Sequence, residues 1–528
     1  MHGTTVAHRT GMLADPPDVA YAVRPLTLPA MRRSLLLVAI LAPLTACTTL
    51  SNTARSYMTA PNGLQIDDDR VRALLQRGMA DSASRALGNR KSPLSPDDRL
   101  LRLLYQGTAA RYAGRDREAG VLFDQAFAVS EDRFTKSISR TAAALVTNDY
   151  ALPYTAGQNE RLLLHYNALL AWSANGDTDA AAVEARRLVA LLARINTGDE
   201  EERPMRAMMH AVAAAAFEQS GDWSDADVAR RNAIAMGASL DSAWTAPGDS
   251  EGDVVIVVER GDVAHKVAVG LTVPIYTGDN VSENDGSFAA QRLLADFGAL
   301  RNGGVWWDDA SSWRFRDTHY APLRGATASY LLDMSWPVLR RTSLLGSGAV
   351  SVTTDGVSGT ARIGASISDA IASDYRRDRG AIMSRTVARA LSKYLAARSI
   401  EAAATAAASA SKDDDGDKKK KKKDADAARA AGMMARFFAN ATTTVLERAD
   451  TRAWALLPAS VAVVRMRIPA GTHELLVDAA GTRQLSLPGV VVRGGRTTIV
   501  SARLWREPGQ GIRAVTERTA FDQTAPER

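Results

Sequence analysis

A cluster of polar and aromatic side chains between residues 306 and 319 is the one place in the sequence where neighbouring residue types suggest chemistry in a loop. The cluster contains three tryptophans, two adjacent aspartates, an arginine and a histidine: Trp306, Trp307, Asp308, Asp309, Trp313, Arg316 and His319. Tryptophan rings can stack on a sugar or anchor a partner, and paired carboxyl groups can catalyse glycoside hydrolysis. Adjacent residues of one strand point to opposite faces, which weakens a catalytic pairing of the two aspartates. A buried corner of a folded domain is the interpretation that we prefer for this cluster.

The remaining polar residues form no recognised catalytic or metal motif. The sequence has no Gly-x-Ser-x-Gly elbow, no His-Glu-x-x-His and no phosphate-binding Walker loop. None of the histidines that follow residue 47 is spaced as a metal-ligating pair: His165, His210, His265, His319 and His473. We therefore expect a protein that is not an enzyme and that carries no cofactor.

Cys47 is the only cysteine among 528 residues, which excludes an intramolecular disulfide framework, a Cys-rich zinc site and an iron–sulfur cluster. It follows a short basic start at 31–33 and an apolar stretch at 35–44, long enough for a signal peptide and too short to span a bilayer. Residues 44–47, Leu-Thr-Ala-Cys, match the bacterial lipobox, in which the cysteine thiol receives a diacylglyceryl group. The sequence therefore predicts lipid attachment at Cys47 and removal of residues 1–46.

The residue after the lipidated cysteine indicates where such a protein is sorted. Thr48 stands there instead of aspartate, which by the sorting rules of Gram-negative bacteria favours the outer membrane. Residues 1–30 lack the form of a signal peptide, so we expect the true start at Met31. Residues 47–66 are then a lipidated tether that holds the protein to the membrane. The folded part of the protein is expected to face the periplasm.

Composition fits a protein that folds in water. Hydrophobic residues make up 46% and charged residues 23% of the chain, as in soluble globular domains. The 65 cationic side chains nearly balance the 59 anionic ones, for a net charge of +6. This balance gives no reason to expect a nucleic-acid partner.

Residues 67–240 predict an all-helical domain, because apolar residues recur at three-to-four spacing. Three segments carry a Gly-[Arg/Asp]-x-x-x-Ala motif, at Gly114, Gly176 and Gly221. The glycine can close one helix with a positive φ, and the alanine lets the next helix approach closely. The motif resembles the tetratricopeptide helix pair, although the copies are farther apart than the usual 34 residues. A generic antiparallel helical bundle is the alternative.

Helical arrays of this kind bind peptides or protein surfaces. The candidate partner-binding residues are those along the densest segment of the helical region: Glu160, Arg161, Tyr166, Trp172, Glu184, Arg186 and Arg187. The alternative, which we prefer, is that their charges are solvated helix faces and interhelical ion pairs.

The second half of the chain mixes strands and helices. Residues 250–366 predict a β-rich middle domain, with a hairpin around Arg260 and Gly261 and further strands at 326–338, 348–354 and 359–366. Residues 367–450 predict a helical hairpin interrupted by a disordered, Lys- and Asp-rich insertion at 411–428. Along its first helix, Arg385, Arg389 and Lys393 would make one basic edge, most simply a solvated face.

Four strands in residues 451–507 predict a small antiparallel β-sandwich, and residues 508–528 a frayed tail. The fold class is therefore α+β multidomain: an N-terminal all-α, tetratricopeptide-like helical array, then a mixed α/β region with long helices, then the small β-sandwich.

Three segments together, 165–187, 252–275 and 446–477, resemble a family of bacterial lipoproteins with a tetratricopeptide-like front and a β-rich back. The resemblance covers roughly residues 160–505. It implies no established activity and no catalytic residue. It also implies that the protein, like its relatives, accompanies lipoproteins that activate peptidoglycan synthases.

Two functional hypotheses follow from these observations. The first is an outer-membrane-anchored, non-enzymatic scaffold or regulator that binds a periplasmic or outer-membrane protein during envelope assembly, in peptidoglycan synthesis or a surface structure. The alternative is a glycan-binding or glycan-hydrolysing envelope protein that uses the cluster from Trp306 to His319.

Overall fold

The computed structural model of the chain describes residues 65–88, 98–136, 153–195, 199–241, 243–277, 327–340, 349–410, 449–479, 484–507 and 510–515. Within these ranges the protein is a mixed α+β structure with nine helices and three β-sheets. None of the described helices is both long and apolar enough to cross a membrane.

Eight helices follow one another in the region predicted to be helical. Their bounds are α1 (Gln65–Gln76), α2 (Ala80–Gly88), α3 (Arg99–Tyr112), α4 (Asp116–Lys136), α5 (Gln158–Ala174), α6 (Thr178–Arg194), α7 (Arg203–Ser220) and α8 (Trp223–Ala235).

One turn geometry recurs between the helices of each pair. A glycine with φ between +71° and +87° ends the first helix of each pair: Gly78, Gly114, Gly176 and Gly221. In every turn the glycine N–H donates to the carbonyl three residues back, and the next N–H donates to the carbonyl five residues back. This is the Schellman arrangement, whose left-handed position favours glycine.

The alanine of the motif is buried in every pair. An alanine five residues after the turn glycine is at most 1% exposed in each copy: Ala83, Ala119, Ala181 and Ala226. The motif predicts three of these four turns. It misses the turn at Gly78, because Met79 stands where the other copies have arginine or aspartate.

The eight helices form an inner row and an outer row. In α5, 14 of 17 residues are buried, against 6 of 17 in α6. The inner helices α1, α5 and α7 contact β10 or β6, and α3 reaches β1 through Arg111, whereas the outer helices pack chiefly against their neighbours in the row.

The strands come from both the middle and the end of the chain. Their bounds are β1 (Glu251–Arg260), β2 (His265–Thr277), β3 (Thr327–Arg340), β4 (Val350–Thr354), β5 (Val357–Thr360), β6 (Ile363–Ser366), β7 (Ser460–Pro469), β8 (Gly471–Ala479), β9 (Leu485–Val492), β10 (Thr497–Glu507) and β11 (Gln510–Val515). The five-stranded sheet has the order β11-β10-β1-β7-β6, the four-stranded sheet β5-β4-β8-β9, and β2 pairs with β3 alone.

The central strand β1 is buried on both faces. Val255 and Val257 belong to the core shared with the inner helices. Val254, Ile256 and Val258 belong to a second core, shared with β4, β8 and β9 of the four-stranded sheet. The continuous apolar run of β1 is thereby explained, because a strand covered on both sides loses the alternation of polar and apolar residues.

The predicted hairpin around Arg260 and Gly261 is wrong. β1 pairs with β7 on one side and, in parallel, with β10 on the other, while β2 pairs with β3. Both edges of β1 are thus occupied by strands whose paired residues are two hundred or more positions away along the chain. Gly261, with φ +63°, ends β1 and donates its N–H to Leu504.

The segments predicted as a middle domain, 250–366, and as a small β-domain, 451–507, share both larger sheets. The predicted strand 359–366 is two strands: β5 lies in the four-stranded sheet and β6 in the five-stranded one. The parallel pairing of β1 with β10 departs from the predicted antiparallel arrangement. Part of the predicted tail is also a strand, because residues 510–515 pair with β10 as β11.

The long helix α9 (Ile367–Ala410) follows β6 directly. Its Arg389 is fully buried, so Arg385, Arg389 and Lys393 do not form one exposed basic edge. The insertion predicted at 411–428 lies outside the described residues.

Candidate functional site

The seven candidate partner-binding residues do not share one open surface. Glu160, Tyr166 and Glu184 are buried; Arg161 and Trp172 are half-buried; Arg186 and Arg187 reach solvent. The contacts of each show what it does in the fold.

Glu160 lies at the N-terminus of α5 and joins it to the segment before β7. Its carboxylate accepts hydrogen bonds from the Tyr154 hydroxyl at 2.6 Å, the Gly157 N–H at 2.9 Å and the Trp454 N–H at 3.2 Å. Burial, together with this carboxylate, raises the pKa of Tyr154 well above its ordinary value. Glu160 is therefore a structural cap and a link between helix and strand segments.

Tyr166 belongs to a buried centre around Glu259 of β1. The Glu259 carboxylate accepts hydrogen bonds from Arg111 at 2.6 Å and from the hydroxyls of Tyr112 and Tyr166 at 3.1 Å each. The Arg111 and Glu259 side chains are 1% and 0% exposed. This centre fastens α3 and α5 to the central strand.

The charges of α6 pair with neighbouring helices. Glu184 lies 2.7 Å from His165 Nδ1 and also binds Arg187, whose guanidinium stacks on Phe127 at 4.7 Å. Arg186 pairs with Asp222 and Asp225 of the next helix pair.

The other two candidates also pack within the row. Arg161 binds Glu131 of α4 at 2.5 Å. Trp172 fills the space beside Gly120, where a Cβ would come within 2.5 Å of its ring. Five of the seven residues therefore make ion pairs or packing contacts between helices, whereas Glu160 and Tyr166 join α5 to strand segments.

Where α9 meets α5, a carboxylate from a distant segment caps the helix. Asp374 accepts the Asn159 N–H at 2.8 Å, and a Cβ on Gly157 would lie 2.7 Å from that carboxylate. Glycine at the N-cap thus leaves room for a cap supplied by α9. Burial raises the pKa of Asp374 to about 7, although the Asn159 N–H and Arg377 oppose this rise.

A third buried centre lies between α7 and β1. Arg465 binds Glu218 at 2.7 Å and Asp253 at 2.6 Å, and the Asp253 carboxylate also accepts hydrogen bonds from Arg467 and Trp244. Burial alone would raise the pKa of Asp253, but the hydrogen bonds from Arg467, Arg465 and Trp244 bring it below its usual range. These carboxylates hold helices to strands.

Among the described residues, no group of three or more His, Cys, Asp or Glu side chains is placed to hold a metal ion. His210, in the inner helix α7, is 3% exposed, and burial lowers its pKa to about 4. The candidate cluster from Trp306 to His319 and the candidate lipidation site Cys47 lie outside the described residues.

The described surface includes at least two clefts. One, of about 250 Å³, lies beside α9 and is lined by side chains of both charges: Lys266, Arg385, Arg452, Asp378 and Asp450. The other, of about 300 Å³, lies between the helical row and the connection from β9 to β10, and it is lined by Ser173, Ala174, Gly176, Thr178, Gln219, Ser220, Val491, Arg493, Arg496, Thr497, Thr498 and Ile499.

The residues of this second cleft were not predicted from the sequence. Its two arginines flank the Gly494-Gly495 pair that connects β9 to β10, and such a pair predicts only a turn. The local signal that could have drawn attention to it is the Arg-Gly-Gly-Arg sequence, residues 493–496.

No protein-family model, no curated protein and no solved structure matches this chain. The fold itself is a row of helix pairs packed on one face of a five-stranded sheet, with a four-stranded sheet on the other face. The resemblance to a lipoprotein family stays a prediction.

Proposed function

We propose that this protein is an outer-membrane lipoprotein, anchored through Cys47 and facing the periplasm, that acts as a non-enzymatic scaffold or regulator. Its partner would be a periplasmic or outer-membrane protein of envelope assembly, in peptidoglycan synthesis or the building of a surface structure. The lipobox supports the anchor, and the architecture of the helical row supports protein binding.

We also propose that the helical row is a tetratricopeptide-like array. Four helix pairs with the same Schellman turn and the same buried alanine support this assignment. The apolar core between the five-stranded and four-stranded sheets supports a β-sandwich, assembled from both halves of the strand region.

The observation that carries the proposal is the difference between the two sides of the helical row. The inner helices are covered by the protein's own five-stranded sheet, so a peptide cannot occupy that face. Among the described residues the outer helices keep surface exposed for a partner, and three successive ones each expose a valine to 42–43%: Val121, Val183 and Val228.

In vivo photocrosslinking tests this proposal. A photoreactive phenylalanine at Val121, Val183 or Val228 of the anchored protein is expected to trap the same envelope protein, identified by mass spectrometry. Val357, 39% exposed on β5, is the matched control position and should not trap it. The proposal fails if the three outer positions trap nothing that the control position does not also trap.

The anchor has a separate test. Cys47→Ser should abolish incorporation of labelled palmitate and move the protein out of the outer-membrane fraction. A gene beginning at Met31 should still yield the lipidated mature protein. Unchanged membrane association of the serine variant would contradict the assignment of Cys47.

A further inference from the structure

One irregular segment of the chain, residues 449–457, lies against the inner side of the helical row. It precedes β7, and its residues 449–454 form neither a helix nor a strand. Arg452, Trp454 and Leu456 are nevertheless at most 2% exposed. A buried segment without regular structure needs partners for its polar groups, and the helices supply them.

The inner helix α3 presents a line of polar side chains to this segment. Its N-cap Asp98 and its residues Tyr105 and Thr108 are spaced by seven and three positions, which places them on one face of the helix. The Asp98 carboxylate accepts a hydrogen bond from the Arg452 guanidinium at 2.6 Å. The Thr108 hydroxyl accepts one from the indole N–H of Trp454 at 2.9 Å. Both long polar side chains of the segment are therefore held by α3.

The main chain of the segment is bound as well. The Tyr105 hydroxyl donates to the Ala453 carbonyl and accepts from the Ala455 N–H, both at 3.1 Å. The Ala455 N–H also donates to the Ala453 carbonyl at 3.0 Å, so the chain turns tightly at Trp454. Glu160 of α5 accepts the Trp454 N–H at 3.2 Å. Side chains of α3 and α5 thus contact four successive residues of the segment.

Trp454, at the tip of this turn, is the apolar anchor of the segment. It is 1% exposed, and its ring lies 6.1 Å from the ring of Phe123 in α4. Gly107 of α3 leaves room for that ring, since a Cβ there would come within 2.7 Å of Phe123. Buried tryptophan and arginine side chains are the usual energetic hot spots of peptide and protein recognition. The segment is therefore bound in the way that a recognised peptide is bound.

We propose that the inner side of α3 and α5 is a peptide-binding groove whose ligand is a short peptide with an arginine two residues before a tryptophan. This inner groove is formed by Asp98, Tyr105, Thr108 and Glu160. Residues 449–457 are the ligand that the chain supplies to itself, and while they are bound the groove is closed to a second peptide of the same pattern. Displacement of the segment opens the groove to such a peptide from another protein. The inference concerns the inner helices and does not depend on the partner proposed for the outer ones.

Peptide binding to a groove that lacks its internal anchors tests the inference. In the full mature chain, Arg452→Ala combined with Trp454→Ala removes both anchor side chains and keeps the inner groove intact. The probe is a fluorescein-labelled peptide with the sequence of residues 449–457. By fluorescence anisotropy it should bind this double variant about tenfold or more tightly than the wild-type protein, because the weakened internal segment competes less. Equal affinity for the two proteins, or binding to neither, would overturn the inference.

Two matched peptides test the recognised pattern. One replaces the arginine with alanine, and the other replaces the tryptophan with alanine. Each should bind the double variant about tenfold or more weakly than the parent peptide, because one loses a charge-assisted hydrogen bond and the other a buried ring. If both bind as tightly as the parent peptide, the groove does not recognise this pattern and the proposal is wrong.

Trp505→Ala is the matched control protein. Trp505 is as deeply buried as Trp454 and belongs to the same core, where its ring packs on Tyr112 and Arg503. This variant loses a ring of the same size while the anchors of the segment stay in place, so it should not bind the peptide. Equal binding by Trp505→Ala and the double variant would mean that the peptide binds any loosened core, which contradicts a specific groove.

A double variant that does not fold alone still gives a result. A ligand that binds only the folded state stabilises that state increasingly with its concentration. The parent peptide should then restore the circular-dichroism spectrum of the wild-type protein, and the two alanine peptides should not. Failure of the parent peptide to restore an unfolded double variant would also overturn the inference.

Discussion

The inner and outer helices of the row differ in how much of their surface is buried. The inner helix α7 buries 14 of its 18 residues, whereas its outer partner α8 buries 4 of 13. The inner helices carry polar groups into the contact with the sheet, and the described contacts pair most of them. The outer helices keep their charges in water. Chemically similar charged residues should therefore contribute much to the stability of the fold on the inner side of the row and little on the outer side.

Two ion pairs, one on each side of the row, differ in their exposure to water. Arg111 and Glu259 meet on the inner side with their side chains 1% and 0% exposed. Arg186 and Asp222 meet on the outer side at 49% and 40%. Water and salt screen the outer pair, whereas the inner pair has lost its hydration and depends on its partners.

Among the substitutions considered, removal of the Glu259 carboxylate on the inner side should reduce the stability of the fold most. We expect Glu259→Ala to lower the free energy of unfolding by about 3–5 kcal/mol, because it leaves Arg111 buried without its carboxylate. Urea denaturation of the mature protein measures this loss.

A variant of a smaller contact in the same centre serves as the control. Tyr166→Phe removes one hydrogen bond to Glu259 and keeps the ring, so we expect a loss of about 1–2 kcal/mol. If both variants cost the same, the charge of Glu259 is not what holds α3 and α5 to β1.

His210 gives the inner side a pH dependence. Its pKa is lowered from 6.5 to about 4 in the folded protein, so the unfolded chain takes up the proton first as the pH falls. Stability is therefore fully present above pH 6.5 and is lost as the pH falls toward 4.

We expect His210→Leu to reduce this acid-induced loss by about 3 kcal/mol, the equivalent of the shift in pKa. The measurement is the free energy of unfolding of both proteins between pH 7.5 and 4. An identical pH dependence in the two proteins would show that His210 takes up its proton without unfolding the inner row.

The sequence predicted where the helix pairs lie better than it predicted which helix of each pair faces the sheet. The spacing of glycine and alanine is a local signal, because the turn and the close approach both lie within a few residues. It even applies at Gly78, where a stricter motif fails. Which helix of each pair would be covered depends on the sheet, and the buried polar residues of α5, such as Asn159 and His165, look like solvent-facing ones.

Strand positions were also predictable, but their partners were not. The apolar run of β1 indicates a buried strand without saying which strands cover its edges. The two that do, β7 and β10, are distant in sequence, and a nearby hairpin was the simpler assumption. The cleft formed by Arg493 and Arg496 depends on the same long-range pairing, since α7 and the connection from β9 to β10 meet only in the folded protein.

Substitution of a turn glycine between an inner and an outer helix should cause an intermediate loss of stability. Gly114 has φ +71°, and a Cβ there would meet nothing within 4 Å, so the cost of Gly114→Ala is a backbone cost alone. A left-handed alanine costs about 1–2 kcal/mol, partly offset by a less flexible unfolded chain, for a net loss of about 1 kcal/mol. Thermal unfolding measures it. Gly114→Asn should lose less, because asparagine tolerates this conformation; equal losses would contradict the left-handed turn.

The outer ion pairs should show the smallest effect. We expect Arg186→Ala to lower the free energy of unfolding by about 0.2–1 kcal/mol, because an exposed pair gains little over its separate hydration. The loss should shrink further in high salt, whereas the loss from Glu259→Ala should not, since that pair is shielded from ions. Denaturation of both variants at low and high salt therefore tests the comparison directly. An Arg186→Ala loss as large and as salt-independent as that of Glu259→Ala would mean that the outer helices are locked by their charges and are less available to a partner than the proposed function requires.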